Sequence, residues 1–276
     1  MNKSILITGC SSGIGFETAL ALFRRGYDVY ATARKPEDVL RLLNEGLNAH
    51  QLDVTDEGSI DAALAWVLEQ TGGTLYALFN NAGYGQPGAL EDVPTPALRA
   101  QFETNVFGLH TMTRRVLPLM LAQGYGRILQ HSSVLGLVSL RFRGAYNASK
   151  YAIEGLCDTL RLELRGTGVH VVTINTGPIR SRFRDNAIAM FEKNVDAAAS
   201  RFAEAYKTEV YKRKKHKEEK DLFTRDPDAV VEKIVAALEA ARPAPRYHVT
   251  AATVMLATLK RLLPTSRLDA VLGKIQ

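Results

Sequence analysis

The chain is short of cysteine: Cys10 and Cys157 are the only two among 276 residues, and neither belongs to a CxxC pair or to a spacing that would bind metal. Two thiols are too few for a disulfide framework. Stability must come from a core, and a reducing compartment, the cytoplasm, is expected. No export signal is expected, because Met1-Asn-Lys-Ser-Ile-Leu-Ile-Thr-Gly9 runs straight from a short apolar stretch into a glycine turn. The most apolar late segment, Val254 to Leu263, is too short to span a bilayer and carries Lys260 and Arg261. Trp66 and the scattered methionines form no cofactor box, and His, Cys and acidic residues do not cluster as metal ligands.

Acidic residues are outnumbered by basic ones, 29 to 35, which gives a net charge of +6. Much of the surplus lies in Tyr211-Lys-Arg-Lys-Lys-His-Lys217 and around Lys260-Arg261. A solvated helix face is the plain reading of such runs, and weak peripheral contact with an anionic membrane through the basic C-terminal segment is the alternative. No nucleic-acid partner is expected. At 46% hydrophobic and 23% charged, the chain has the balance of a globular protein, which excludes disordered and collagen-like classes.

Apolar runs of strand length recur at Ser4 to Thr8, Asp28 to Thr32, Ala49 to Leu52, Leu75 to Phe79, Arg127 to His131 and Val169 to Asn175. Helical patterns fall between them near Gly15 to Arg25, Glu37 to Asn44, Glu57 to Gln70, Pro96 to Ala122 and Ala145 to Arg165. This alternation predicts βαβ units: an α/β, Rossmann-like, doubly wound parallel sheet with helices on both faces. No Pro, Gly or Ser-rich linker interrupts it, so residues 1–276 read as a single domain. From Ile179 to Phe223 the sequence turns helical without another strand, and an insertion there emerges at the carboxyl ends of the strands, where ligands bind. It is the candidate substrate lid. Asp226-Pro227 predicts an N-cap and first position for a helix over Ala229 to Ala241. A last short strand follows at Arg246 to Val249, then a helical extension over residues 250–276 that includes Val254 to Leu263, closed by Pro264.

Thr8-Gly9-Cys-Ser-Ser-Gly13-Ile-Gly15 follows the first strand and opens the first helix. Glycines there permit a tight turn and let backbone approach a pyrophosphate, while the helix N-terminus offers free N–H groups and a partial positive charge. A Rossmann site that prefers NAD carries an acidic residue about 20 residues further on; this chain has Ala33 there, followed by Arg34. Arg34, with Ser11 and Ser12 in the facing loop, supplies donors for a 2′-phosphate, so NADP(H) is the expected cofactor.

Tyr146-Asn-Ala-Ser-Lys150 places a phenol and an ammonium one helical turn apart, after Ser132-Ser133. Moving a phenol from its ordinary value near 10 to about 7 requires roughly 4 kcal/mol, and an adjacent ammonium has the right sign to supply it.

With these residues in place the chain resembles the short-chain dehydrogenase/reductase family. The glycine loop at Thr8 to Gly15, Asn80-Asn81-Ala82-Gly83, Asn105, Ser133 and the Tyr146/Lys150 pair occur in that family's order. The resemblance implies that Tyr146 is the general acid/base, Ser133 binds the substrate oxygen, Lys150 holds the nicotinamide ribose and lowers the Tyr146 pKa, and Asn105 anchors a relay water. It further implies cofactor contacts from Gly9, Ser11, Ser12, Gly13, Ile14, Gly15, Arg34, Asp53, Val54, Asn81, Ala82, Gly83, Tyr146, Lys150, Pro178, Ile179 and Ser181. Thr176 stands where many members have Pro, and Ser181 where Thr is usual. A finer similarity to the branch of 17β-hydroxysteroid dehydrogenases, retinol dehydrogenases and NADP-dependent aldehyde reductases rests on Ala33-Arg-Lys-Pro36, Gly177-Pro-Ile-Arg180 and Arg246-Tyr-x-Val-Thr250. That branch implies a lipophilic carbonyl or alcohol substrate, consistent with Val134, Leu135, Leu137, Val138 and Phe142 near the site. His131 reads as a structural histidine on a buried strand, and Cys157 as facing the core or an interface. A homodimer through the two long helices, Pro96 to Ala122 and Ala145 to Arg165, is the assembly implied, a tetramer the alternative. A catalytically silent NADP(H)-sensing protein is the competing function.

Overall fold

The computed structural model describes residues 3–211 and 223–275. Seven parallel strands form one sheet: β1 (Ser4–Ile7), β2 (Asp28–Ala33), β3 (Asn48–Gln51), β4 (Ala77–Asn80), β5 (Gly126–Ser133), β6 (Val169–Thr176) and β7 (Arg246–His248). Their order is β3-β2-β1-β4-β5-β6-β7, so the sheet grows outward in opposite directions from the β1/β4 pair. Helices α1 (Gly13–Arg24), α2 (Pro36–Asn44) and α3 (Glu57–Thr71) follow the first three strands.

Both faces are covered, because consecutive strand residues point to opposite sides and both sides are apolar. Ile5, Ile7, Phe79 and Ile174 pack on one face with Ala19 and Leu22 of α1 and with Val230 and Ile234 of a late helix. Leu6, Leu78, Ile128 and Val171 pack on the other with Ile60 of α3 and with Met112 and Ile153 of the two long helices. Each such fully buried side chain contributes roughly 1.5–3 kcal/mol. Cys157 belongs to the second cluster, and Cys10 lies buried with Sγ 3.3 Å from the Ile7 carbonyl.

The structure departs from the expected elements in three places. β4 begins at Ala77 rather than Leu75, since Leu75 N donates to Gln123 Oε1 at 2.8 Å and Tyr76 N to Ser4 Oγ at 3.1 Å, which takes both amides out of the ladder. The continuous helix expected over Pro96 to Ala122 is instead α4 (Thr95–Phe102), a π-helical segment (Glu103–Gly108) and α5 (Leu109–Gln123). The widened turn seats Gly108 where an added Cβ would lie 2.5 Å from the Val54 carbonyl oxygen, so backbone meets backbone there. After α6 (Gly144–Glu163), Asp226 is not the expected side-chain cap; its carboxylate pairs with Arg180 at 2.9 Å, and the helix after Pro227 starts at Asp228. As expected, the helix over Ala251–Leu262 stops short of Pro264, whose carbonyl accepts from Arg267 and Leu268 and starts the next helix.

The candidate lid carries α7 (Phe183–Asn194), α8 (Ala203–Tyr206) and a π-helical turn (Lys207–Tyr211). Phe191, Tyr206 and Val210 pack on Phe142 and Ala89. Ile179 bridges Arg225, which ties together the two ends of the segment. The basic stretch after Tyr211 lies outside the described residues. The tail comprises α9 (Asp228–Glu239), α10 (Ala251–Leu262) and α11 (Thr265–Leu272). No helix among the described residues is long and apolar enough to cross a membrane.

The cap of α3 separates local from tertiary stability. Asp56 accepts from Gly58 N at 2.9 Å and Ser59 N at 3.3 Å on an exposed surface. Asp56→Ala is expected to lower the unfolding free energy by about 1 kcal/mol, and Leu78→Ala, in the sheet core, by about 2–5 kcal/mol; urea titration of both variants checks the ranking.

Candidate active site

The loops that leave β1 and β4 are stitched to each other. Thr8 Oγ1 accepts from Asn81 N at 3.0 Å and Ala82 N at 2.9 Å, and Asn81 Nδ2 donates to the carbonyls of Thr8 and Gly9 at 2.9 and 3.0 Å. This close approach demands glycine: a Cβ on Gly9 would lie 2.8 Å from Ala82 Cα, and one on Gly15 would lie 2.5 Å from Asn81 Nδ2. Gly13 has φ +59°, open to glycine without strain. Ser12 at the N-cap of α1 makes no side-chain capping bond, in contrast to Asp56 at α3, so the first-turn N–H groups of α1 face the crevice uncapped. An uncapped helix N-terminus is an anion site.

The crevice at this seam brings together Gly9, Ser11, Ser12, Gly13, Ile14 and Gly15 on one wall, Arg34, Asp53 and Val54 at one end, and Asn81, Ala82 and Gly83 on the floor. Tyr146, Lys150 and Ser181 complete the lining, with Ser181 set against Gly13. Such a cleft, lined by uncapped N–H groups and a guanidinium, fits a nicotinamide dinucleotide. Arg34 is exposed there, while Asp53 Oδ1 accepts from Thr55 N and Thr55 Oγ1 at 2.9 and 2.7 Å. A second guanidinium, unread in the sequence, stands close by: Arg41 Nη2 donates to the Ser11 carbonyl and pairs with Asp38 at 3.0 Å. Its helical spacing from Arg34 offered no signal, because α2 turns it back onto the loop only in the fold.

At the far end, α6 presents Tyr146 in its first turn and Lys150 in its second. Lys150 Nζ donates to the His131 carbonyl at 2.6 Å and lies 5.5 Å from the centre of the Tyr146 ring. Burial pushes the Lys150 ammonium down to about 8, against the pull of the nearby Glu154 carboxylate. Burial likewise holds the Tyr146 phenol above its ordinary value, opposed by a hydrogen bond with Ser133. Ser133 ends β5, and its Oγ accepts from Leu135 N at 3.1 Å.

Asn105 sits behind the crevice rather than in its wall. Nδ2 donates to the Tyr84 carbonyl at 2.9 Å and to Ser149 Oγ at 3.1 Å, and Oδ1 accepts from Tyr84 N at 3.1 Å. Ser149 Oγ in turn donates to the Tyr146 carbonyl at 2.8 Å, so the π-helical segment reaches the first turn of α6 through one hydroxyl. π-Segments of this kind recur at functional sites. His131 has both ring nitrogens engaged, Nδ1 with Asn81 Oδ1 at 3.0 Å and Nε2 with Thr176 Oγ1 at 3.2 Å. Burial, aided by the Lys150 charge, lowers its pKa to about 3, so the ring is neutral near pH 7.

An adjoining cavity opens on the other side of Tyr146. Pro178, Ile179, Ser133 and Thr176 line it together with Val134, Leu135 and Leu140, and the candidate lid supplies Phe183, Ile188 and Val210. Tyr146, His131, Ile14, Ser181 and Phe183 border both spaces. Of the apolar residues expected beside the site, Val134 and Leu135 are there. Val138 packs instead with Leu256, Phe142 with Phe191 and Tyr206, and the Leu137 carbonyl accepts from Tyr151 Oη at 2.7 Å. Phe183, whose ring meets the Tyr146 ring at 5.4 Å, arrives from 37 positions downstream, a distance at which periodicity says nothing. Among the described residues no group of three or more His, Cys, Asp or Glu could hold a metal.

Comparison with known proteins agrees with this geometry. The family model described as short chain dehydrogenase matches residues 3–191. An Escherichia coli protein called uncharacterized oxidoreductase YbbO is 43% identical over 275 residues, covering 99% of this chain and 94% of its own. Human 17-beta-hydroxysteroid dehydrogenase type 1 is 35% identical, over 89% of this chain and 77% of its own. Among solved structures, a Burkholderia phymatum short chain dehydrogenase/reductase in complex with NAD superposes with a TM-score of 0.79 at 26% identity, covering 99% of this chain and 95% of its own.

The lowered pKa of Lys150 carries a sign that can be measured. The folded chain releases this proton near pH 8 and the unfolded chain only near 10.5, so between those values the unfolded state binds more protons and stability rises with pH. The Lys150 contribution is least favourable below pH 8. Urea midpoints between about pH 8 and pH 9.5 are expected to rise less in Lys150→Met than in the parent chain; equal rises would mean that Lys150 titrates normally.

Proposed function

The chain belongs to the short-chain dehydrogenase family, whose members are oxidoreductases using a nicotinamide cofactor, and on that premise we propose that it is an NADP(H)-dependent enzyme acting between a lipophilic aldehyde or ketone and the corresponding alcohol. The observation that carries the reading is the position of Tyr146: its side chain borders both the glycine-loop crevice and the apolar cavity. A group there can exchange a proton with a substrate oxygen at the boundary where two bound molecules meet.

The crevice residues are assigned to the cofactor. The first turn of α1 binds the pyrophosphate, Arg34 and Ser11 the 2′-phosphate, and Asp53 with Val54 the adenine end. Ala33 puts no carboxylate against a 2′-phosphate, which supports NADP(H) over NAD. Lys150 and Asn81 line the nicotinamide end, with Pro178, Ile179 and Ser181 facing it from the β6 loop. The bound cofactor supplies or accepts the hydride. In reduction, Tyr146 Oη gives its proton to the substrate oxygen as negative charge grows there, and Ser133 Oγ donates to the same oxygen. The Lys150 ammonium offsets the charge left on Tyr146. Asn105 supports this exchange from behind, by fixing Ser149 and hence the turn that carries Tyr146. Residues 179–223 act as the substrate lid, and Phe183, Ile188 and Val210 supply an apolar wall for a lipophilic chain or ring. Exposed Phe107, Tyr151 and Leu156, on the π-helical segment and α6, support a homodimer through these long helices.

Initial rates with NADPH and NADH over medium-chain, aromatic, retinoid and steroid carbonyls test the reading. Turnover with NADPH is expected to fall by about 100-fold or more in Tyr146→Phe, with nucleotide binding kept. Arg34→Ala is expected to weaken NADPH about 10- to 100-fold, as loss of a charge-assisted contact of 1.5–3 kcal/mol implies, and to leave NADH nearly unchanged. Tight NADPH binding without turnover of any carbonyl would favour a sensing protein instead.

A further inference from the structure

One buried carboxylate is not used by the chemistry above. Glu154 lies on α6 one turn beyond Lys150, and is 6% exposed. Its two oxygens take donors from three different strands. Ser132 Oγ on β5 donates to Oε1, Asn175 Nδ2 on β6 donates to the same oxygen at 2.6 Å, and Arg246 Nε on β7 donates to Oε2 at 2.9 Å. Ser132 and Asn175 are register partners in the sheet, and the next pair is Ser133 with Thr176. The residues that Glu154 grips are therefore the immediate neighbours of Ser133 and of the hydroxyl that holds His131. Arg246 goes on to clamp Asp158, one further turn along α6, with Nη2 at 2.6 and 2.7 Å from the two carboxylate oxygens. Gly136 permits the approach, since a Cβ there would lie 2.9 Å from the Lys150 carbonyl oxygen and 3.2 Å from Glu154 Cγ.

Resting on the reading of Tyr146, Ser133 and Lys150 as the reacting set, we propose that Glu154, held by Arg246, is a positioning residue for the reaction: it fixes the ends of β5 and β6 against α6, and its negative charge sustains the buried Lys150 ammonium. The two roles come from one geometry. A carboxylate in low dielectric is stable only with its lone pairs filled by donors and a cation beside it. Glu154 meets that condition by recruiting three strands, which is what ties the serine-bearing end of β5 to the tyrosine-bearing helix. Its second cationic neighbour is Lys150, whose ammonium burial disfavours and Glu154 favours. The Arg246-Tyr-x-Val-Thr250 motif, which no cofactor contact explains, is accounted for as the strand that delivers the guanidinium.

Charges around this centre are few. Tyr146, Glu154 and Cys157 reach toward Lys150 from α6 and the neutral ring of His131 from β5, while Arg246 and His248 of β7 and Asp158 of α6, itself paired with Arg161, surround Glu154. Glu154→Gln removes the negative charge but retains the bulk. Arg246→Met removes the clamp and leaves the carboxylate charged and less neutralised.

The experiment measures kcat and KM for NADPH-dependent reduction from pH 6 to 10 in the parent chain and both variants, with melting temperature and NADPH dissociation constant alongside. Competitive acetylation at Lys150, read by mass spectrometry, gives its titration without any substrate. Glu154→Gln is expected to lower kcat at least tenfold with NADPH affinity within about threefold of the parent, and to move the alkaline limb of the profile and the Lys150 titration to lower pH. Arg246→Met is expected to lower the melting temperature but to leave the Lys150 titration in place or move it to higher pH. A purely structural role predicts a loss in both variants with the Lys150 titration unmoved in Glu154→Gln or moved alike in both, and either result overturns the proposal, as does an unchanged profile in Glu154→Gln. Should Glu154→Gln fail to fold, Arg246→Lys replaces it, with kcat reduced and the Lys150 titration held near the parent value expected, and a parent-like kcat overturning. Absence of carbonyl turnover in the parent chain would remove the functional reading, while the acetylation titration still decides the charge coupling.

Discussion

Between β1 and β4 two neighbouring strands send their crossovers to opposite faces: α1 packs on the side of Ile5 and Ile7, and α5 on the side of Leu6 and Leu78. Right-handed crossovers allow no helix to close over the gap between them. The strand ends there are buried, so their backbone groups must be satisfied within the protein, and Thr8 and Asn81 do so by bonding one loop to the other. That stitch brings the loops so near that Gly9 and Gly15 admit no side chain. The same closeness leaves the first turn of α1 pointing into open space with its N–H groups uncapped. The cleft is thus a consequence of sheet topology, and a helix end with uncapped N–H groups is placed in it by the same geometry.

A second constraint is the burial of charge at the far end of the cleft. A lysine amine inside a protein resists protonation, and a phenol there resists losing its proton. Lys150 and Tyr146 show both tendencies, each opposed by a neighbour: Glu154 for the lysine and Ser133 for the tyrosine. Neutral His131 lends its carbonyl to Lys150 and its ring to Asn81 and Thr176. His131 thereby ties the loop after β4 and the end of β6 to Lys150 on α6, and Asn105 reaches the first turn of the same helix through Ser149.

The apolar cavity has a different origin. Its inner wall, Val134 and Leu135, follows directly on β5, whereas Phe183, Ile188 and Val210 are brought over by α7 and the turn after α8. The anchor for that cover is an aromatic cluster in which Tyr206 and Phe191 pack on Phe142. Phe142 has φ +58°, a left-handed conformation unusual for an aromatic residue, and is kept there by this packing.

Sheet class, the glycine loop, the Tyr146/Lys150 pair and the missing carboxylate at Ala33 were legible in the sequence, because each depends on spacing within one element or one turn: period two in a strand, four residues on a helix, a glycine where the chain reverses. The break of the long helix at Asn105, the turning of Arg41 onto the Ser11 carbonyl, the displacement of Phe142 and Val138 from the cavity, and the union of Ser132, Asn175 and Arg246 on Glu154 were decided only by tertiary structure. Each joins residues from separate elements, and which of several chemically equivalent partners a buried polar or aromatic group takes is settled by packing at close range, where local pattern carries no information.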